Sequence, residues 1–230
     1  MLSTCIIFDC DGVLFDSNDL KSEAFRQALD GYPASMVADF VSYHRATQGV
    51  SRYEKLRRFL TEFAGRDDDE REYSRLVNRF SQLCQVLYET APLTDGCEKV
   101  LRELARIRPL FVASGSDECE LRHVFSHRGL ADYFVGIYGS PPTKVESVRR
   151  ALAHVPGIAG GLLVGDAVLD HAAATAHGLD FVFMQRFSDA RAQLCALAEE
   201  EGFPVIDSLT ELPALIAAGK VGAGASRGTL

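Results

Sequence analysis

Four short stretches of the chain hold side chains able to do acid, base or nucleophilic chemistry. Asp9 and Asp11 come directly after an apolar, β-branched run at residues 4–8 (TCIIF), and Gly12 follows them. Ser114, Gly115 and Ser116 end a second apolar run. Lys144 opens a helical pattern after a third, and Gly165, Asp166 and Asp170 follow a fourth. Each residue alone has a bland reading. Asp9 and Asp11 fit a solvated turn, Ser114 a hydroxyl turn, Lys144 a solvated helix start, and Asp166 and Asp170 a helix cap with a first-turn acid. The ordered set is harder to dismiss, because every member lies where a strand pattern ends. Three carboxylates gathered together repel one another and call for a cation. A hard site rich in oxygen with few dedicated ligands suits Mg²⁺, which keeps several waters and shares a phosphate oxygen.

The elements that must position these groups are read from periodicity. Short β-branched runs at 4–8, 110–113, 133–138, 162–164, 181–184 and 205–206 predict strands. Helical patterns lie between them at 95–107, 117–127, 144–154, 168–177 and 190–200. Pro109 and Pro204 stand at strand starts, where a missing N–H does least harm. Alternation of this kind predicts an α/β fold, a doubly wound parallel sheet with helices on both faces. Its ligands bind at the carboxyl ends of the strands.

Residues 17–91 break the rhythm. They show no strand pattern, and apolar stripes such as Phe59, Leu60 and Phe63, or Leu76, Phe80, Leu83 and Leu87, repeat at helical spacing. This predicts a helical insert between a core of 1–16 and 92–218. Residues 91–95 form the return linker, with Thr94 or Asp95 expected to cap the next helix. The insert is nearly neutral, with 11 Lys/Arg and 12 Asp/Glu, so the core carries most of the formal charge of -8. The Gly- and Ala-rich stretch 219–230 has no periodicity and is expected to be a disordered tail.

The net negative charge argues against general binding to nucleic acid or an anionic membrane. The first residues lack a basic stretch and no apolar run reaches membrane-spanning length, so neither a signal peptide nor a span is expected. Six scattered cysteines suit a reducing cytoplasm. Cys119, His123 and His127 recur every four residues, but three ligands on one straight helix do not surround a zinc ion, and a plain surface helix is the reading taken.

The strings now carry a resemblance. FDCDGVLFDS (8–17) resembles the first motif of the haloacid dehalogenase-like superfamily and FVASGS (111–116) the second. Lys144 resembles the third and GDAVLD (165–170) the fourth. The insert resembles the helical C1 cap of the branch that holds phosphoglycolate phosphatases and β-phosphoglucomutases. This resemblance implies a cytoplasmic phosphatase of a small phosphorylated metabolite, such as a sugar phosphate. Asp9 would be the nucleophile that becomes an aspartyl-phosphate, and Asp11 the general acid and base. Mg²⁺ would be held by the Asp9 carboxylate, the Asp11 backbone carbonyl and the Asp166 carboxylate. Ser114, Gly115 and Lys144 would hold the phosphoryl group, and Asp170 would orient Lys144 or a metal-bound water. In GVSRYEKL (49–56), Arg52 stands where β-phosphoglucomutases grip the non-transferred phosphate; its bland alternative, with Lys55 on the same helix face, is surface solvation.

Departures are equally informative. Val145 replaces a common Pro, Ala167 replaces Ser or Thr, and Lys21 stands where the mutases carry a gating His. The last of these counts against a mutase, which is the nearest alternative. A non-catalytic binding relative is the other; a dehalogenase would need neither the Asp11 acid nor a metal. The expected partner is a small phosphate ester, and a monomer or a homodimer fits the sequence equally.

Overall fold

The structure, a computed structural model, describes residues 4–67, 69–156 and 160–222. Six parallel strands form one sheet: β1 (Cys5–Phe8), β2 (Leu110–Asp117), β3 (Gly136–Ser140), β4 (Gly161–Gly165), β5 (Asp180–Met184) and β6 (Val205–Ile206). Their order is β3-β2-β1-β4-β5-β6, so the chain reverses its direction of winding beside β1. The reversal leaves a crevice at the carboxyl end of β1, where loops part to opposite sides.

Strand side chains alternate between two cores. Ile6, Phe8, Val112, Val164, Val182 and Met184 share one cluster with Val100 and Leu101 of α5 (Cys97–Leu104) and Phe125 of α6 (Glu118–His127). Cys5, Ile7, Phe111, Leu163 and Phe183 face the other way, onto α7 (Lys144–Ala153), α8 (Val168–Ala176) and α9 (Arg191–Glu201). A sheet covered on both faces needs apolar residues at every position, which is why β1 reads as an unbroken apolar run. Pro109 and Pro204 do precede strands, and their carbonyls accept from Ile6 and Phe183 N–H groups on neighbouring strands.

The third strand begins later than its pattern suggests, because residues Ala131–Tyr133 close a 3₁₀ turn. Two further corrections concern the ends. Gly96, in the left-handed region at φ 74°, stands at the start of α5 without a side-chain cap. Thr94 instead donates its hydroxyl to the Val13 carbonyl at 2.6 Å, and Asp95 pairs with Arg186. Residues 221–222 of the expected tail are instead packed on the core. Val221 is buried, and Gly222 is tied to Thr4, Arg108 and Asp180. The rest of that stretch, 223–230, lies outside the described residues. A short helix, α10 (Leu212–Ala217), also precedes it without having been anticipated.

The insert is helical throughout: α1 (Asn18–Ala28), α2 (Ala34–Ala46), α3 (Arg52–Arg58), a single π turn (Phe59–Phe63) and the long α4 (Glu70–Thr90). An aromatic cluster holds them together, with Phe25 stacked on Phe80 at 3.9 Å and set edge-on to Phe40 at 5.4 Å. The two chain crossings between insert and core run side by side. Asp16 N–H donates to Pro92 and Thr94 N–H to Leu14, at 2.9 and 3.0 Å.

The insert covers the carboxyl ends of the strands as a cap, and it docks at several points. Arg52 makes a two-pronged ion pair with Glu120 of α6, both contacts at 2.6 Å. Tyr53 donates to Asp117 at 2.8 Å, while Arg45 and Gln48 both reach Asp189 at 3.0 Å. Between these ties the backbones meet directly: a Cβ on Gly115 would lie 2.3 Å from the Gly49 carbonyl oxygen. Only a residue without a side chain permits that approach. Gly115→Ala should therefore lift the 48–50 loop by about 1 Å, since ordinary contact starts at 3.4 Å, and leave the cap ajar. A crystal structure of the variant with the Gly49 carbonyl still resting on residue 115 would show this contact to be incidental.

Candidate active site

Asp9 is the first residue beyond β1, and its N–H is fixed to the Val164 carbonyl at 2.9 Å, so the carboxylate stands at the sheet's edge between β2 and β4. The Cys10 N–H donates to its Oδ1 at 2.7 Å, and the Lys144 ammonium meets its Oδ2 at 2.9 Å. Lys144 also pairs with Asp170 Oδ1 at 2.5 Å. Asp170 Oδ2 accepts from the Ala167 N–H at 2.9 Å. Asp170 thus both closes the start of α8 and pairs with the Lys144 ammonium.

Carboxylate oxygens of Asp9, Asp166 and Asp170 all lie within 4.8 Å of one another, and the three residues are buried. Burial and then Asp170 push the Asp9 carboxyl up, although Lys144 pulls it down. Burial, Asp9 and Asp170 hold Asp166 well above the usual carboxylate range. Lys144 feels the reverse: burial disfavours its charge, but Asp170 and Asp9 outweigh burial and raise it. One ammonium thus faces three buried carboxylates, a deficit of positive charge that a small divalent cation fits. Among the described residues this is the one group of three acidic, His or Cys side chains with such spacing. Cys119, by contrast, is exposed on α6.

The turn after Asp9 is shaped for close approach. Gly12 has φ 76°, and a Cβ there would lie 2.2 Å from Asp166 Oδ2. Asp11 turns away from the acidic cluster toward the cap. Its Oδ1 accepts from Ser17 at 2.6 Å and from the Tyr88 hydroxyl at 2.7 Å. Its Oδ2 accepts from Lys21 at 2.6 Å and from Ser116 at 2.9 Å. Burial opposes the Asp11 charge, but Lys21 and these hydrogen bonds outweigh it and bring the carboxyl down to about 2. Ser114, also buried, accepts from the Ser116 N–H at 3.1 Å.

A cavity of about 50 Å³ joins the two halves. Asp9, Asp166, Ser114 and Gly115 line its core end, and Lys21, His44, Gln48, Arg52 and Lys55 its cap end. The sequence-derived residues therefore meet around one space, except that Lys144 and Asp170 stand behind Asp9 and do not line it. Neither Arg52 nor Lys55 is a solvated surface cation; their relative exposures are 3% and 2%. Arg52 is also not free, being committed to Glu120 and to Ser81.

Sequence reading missed Asn18, which donates to Asp166 Oδ2 at 2.7 Å and to the Phe187 carbonyl. It also missed Ser17, Tyr88, His44 and Gln48, and gave Ser116 no role. Asn18 left a weak signal, being polar at a helix start close after the first motif. Tyr88 left none, because it arrives from the far end of α4.

Comparison with known proteins agrees with this architecture. Residues 4–178 match the family model of the haloacid dehalogenase-like hydrolases. No curated protein matches the chain. Among solved structures, β-phosphoglucomutase from Clostridium difficile superposes with a TM-score of 0.74 at 19% identity, covering 96% of this chain and 97% of that one. A predicted phosphatase from Clostridium acetobutylicum gives 0.72 at 19% identity, with 95% and 100% covered. The HAD-hydrolase YfnB of Bacillus subtilis, in a structure bound to magnesium that reveals interdomain movement, gives 0.67 at 16%, with 94% and 100% covered. At these identities the likeness is one of fold, and among the described residues no helix is long and apolar enough to cross a membrane. With three quarters of the chain inside the family model and the motif residues gathered at the strand ends, the chain belongs to the haloacid dehalogenase-like hydrolases.

Proposed function

We propose that the chain is a Mg²⁺-dependent phosphatase that hydrolyses a small phosphorylated metabolite through an aspartyl-phosphate on Asp9. One observation carries this reading: Asp9 is held by Lys144 and the Cys10 N–H against two further buried carboxylates, at the end of a cavity whose other side is closed by a cap. Asp9 and Asp166, with the Asp11 carbonyl, would hold Mg²⁺, which when bound would neutralise the charge gathering on the phosphoryl oxygens.

An Asp9 oxygen attacks phosphorus, the bond to the alcohol oxygen breaks, and that oxygen takes a proton from the Asp11–Lys21 pair. Water then attacks the same phosphorus, the bond to Asp9 breaks, and Asp11 accepts the water's proton. Ser114, on the cavity wall, holds the phosphoryl group, and Lys144, behind Asp9, offsets the charge of that carboxylate through both steps. Positioning and charge neutralisation supply most of the catalysis in such transfers. The Lys21 pair keeps Asp11 a ready carboxylate, the form needed to activate water in the second step.

Asp9→Asn should leave less than about a tenth of wild-type phosphate release, since an amide is a poor nucleophile. Activity above that level would remove the covalent step. EDTA should abolish turnover and added Mg²⁺ restore it; full activity in excess chelator would show that the acidic cluster works without a divalent ion. Interconversion of sugar phosphates without net release of phosphate would favour the mutase.

A further inference from the structure

The cap end of the cavity holds more positive than negative charge. Lys21 is matched by Asp11 and Arg52 by Glu120. Lys55 has no carboxylate within ion-pair distance among the described residues. Its ammonium donates to His44 Nδ1 at 2.8 Å and to the His44 carbonyl at 3.2 Å, which leaves one of its three N–H groups unused. His44 provides no countercharge, since an imidazole is never anionic, and burial and then Lys55 keep it neutral by driving its pKa down to about 2. Burial and Lys21 push Lys55 itself down to about 7, against the pull of Asp11, Glu54 and Asp189. Charging a lysine this deeply buried with no carboxylate beside it is costly, and an anion entering the cavity would supply the missing partner.

A second, independent observation lies beside it. The Gln48 Oε1 atom is buried without a hydrogen-bond partner. Its amide cannot be turned to hide the fault, because Nε2 donates to Asp189 at 3.0 Å. An orphan acceptor on a cavity wall is completed by a donor such as a hydroxyl.

Resting on the phosphatase reading, we propose that Lys55 and Gln48 are the residues that determine specificity, and that the substrate is a hydroxylated phosphate monoester with a second anionic group remote from the scissile phosphate. Lys55 takes the anion and Gln48 accepts from a hydroxyl. Arg52, already saturated by Glu120, holds the cap closed around them. The cavity of about 50 Å³ is too small for such a molecule while the cap is shut, so the substrate enters with the cap open and closure brings Lys55 onto it.

Matched pairs of probes test this on the full chain with Mg²⁺: glycerol 3-phosphate against 3-phosphoglycerate, glucose 6-phosphate against 6-phosphogluconate, and fructose 6-phosphate against fructose 1,6-bisphosphate. The wild type should prefer the doubly anionic member of at least one pair by about ten- to a hundredfold in kcat/KM, the value of a charge-assisted contact. The first two pairs report a carboxylate and the third a phosphate. In Lys55→Met that ratio should collapse toward one, and Tm should not fall, since a buried unmatched charge has been removed. Gln48→Leu should erase the preference for 3-phosphoglycerate over 3-phosphonooxypropanoate, which lacks the hydroxyl. No preference in any pair, or equal losses on both members together with a lowered Tm, would overturn the proposal. If the wild type releases phosphate from none of these, nor from p-nitrophenyl phosphate, the phosphatase reading falls. Calorimetric binding of the same pairs to Asp9→Asn, with and without Lys55→Met, then decides the Lys55 assignment, and equal affinities would reject it.

Discussion

Lys144 is the contact on which the site depends. Its ammonium is shared between Asp9 and Asp170 in a region closed to water, and three strands must deliver their ends to one place for that sharing to occur. Removing Lys144 would leave Asp9 and Asp170 unpaired in a low-dielectric setting, where an uncompensated ion costs several kcal/mol. The reversal of winding beside β1 sets β4, which leads to Asp170, next to the strand that delivers Asp9, while Lys144 reaches both from the start of α7 after β3. Gly12 then lets the Asp9 turn press against Asp166. Fold and charge are therefore one problem here: the sheet supplies rigid positions, and the ions justify those positions only as a set.

The cap end of the cavity carries the opposite imbalance. At the core end carboxylates outnumber their ammonium, whereas Lys21, Arg52 and Lys55 at the cap end are matched only by Asp11 and Glu120. Arg52–Glu120, Tyr53–Asp117 and the Asp189 contacts all cross the same seam. They are polar and few, unlike the apolar packing inside either part.

Much of this was legible in the residues themselves. The strands and helices of the core follow from alternation of short β-branched runs with helical periodicity, and the motif residues follow from their places at strand ends. What escaped was contact between segments distant in sequence. Tyr88 reaches Asp11 across 77 positions and Asn18 reaches Asp166 across 148, and no local pattern encodes either. Arg52 shows the reverse error: its type and place suggested a ligand grip, but Glu120, on a different element, had already claimed it. Lys55 looked like a solvated neighbour because helical spacing gives a shared face without saying whether that face meets water. The caps misled for a related reason. Thr94 is a good capping residue by type, yet the hydroxyl was drawn to Val13 on the outgoing crossing.

That crossing has a wider consequence. The strand leaving the core and the strand returning to it are hydrogen-bonded to each other, through Asp16 to Pro92 and Thr94 to Leu14. Everything between them is a closed excursion whose two ends meet at a single point of the sheet. Such an excursion can be lengthened, shortened or exchanged without threading through the catalytic scaffold. Selection can thus act on recognition and on bond-breaking as separable modules, so that new chemistry of choice is acquired by trading one insert for another above an unchanged floor.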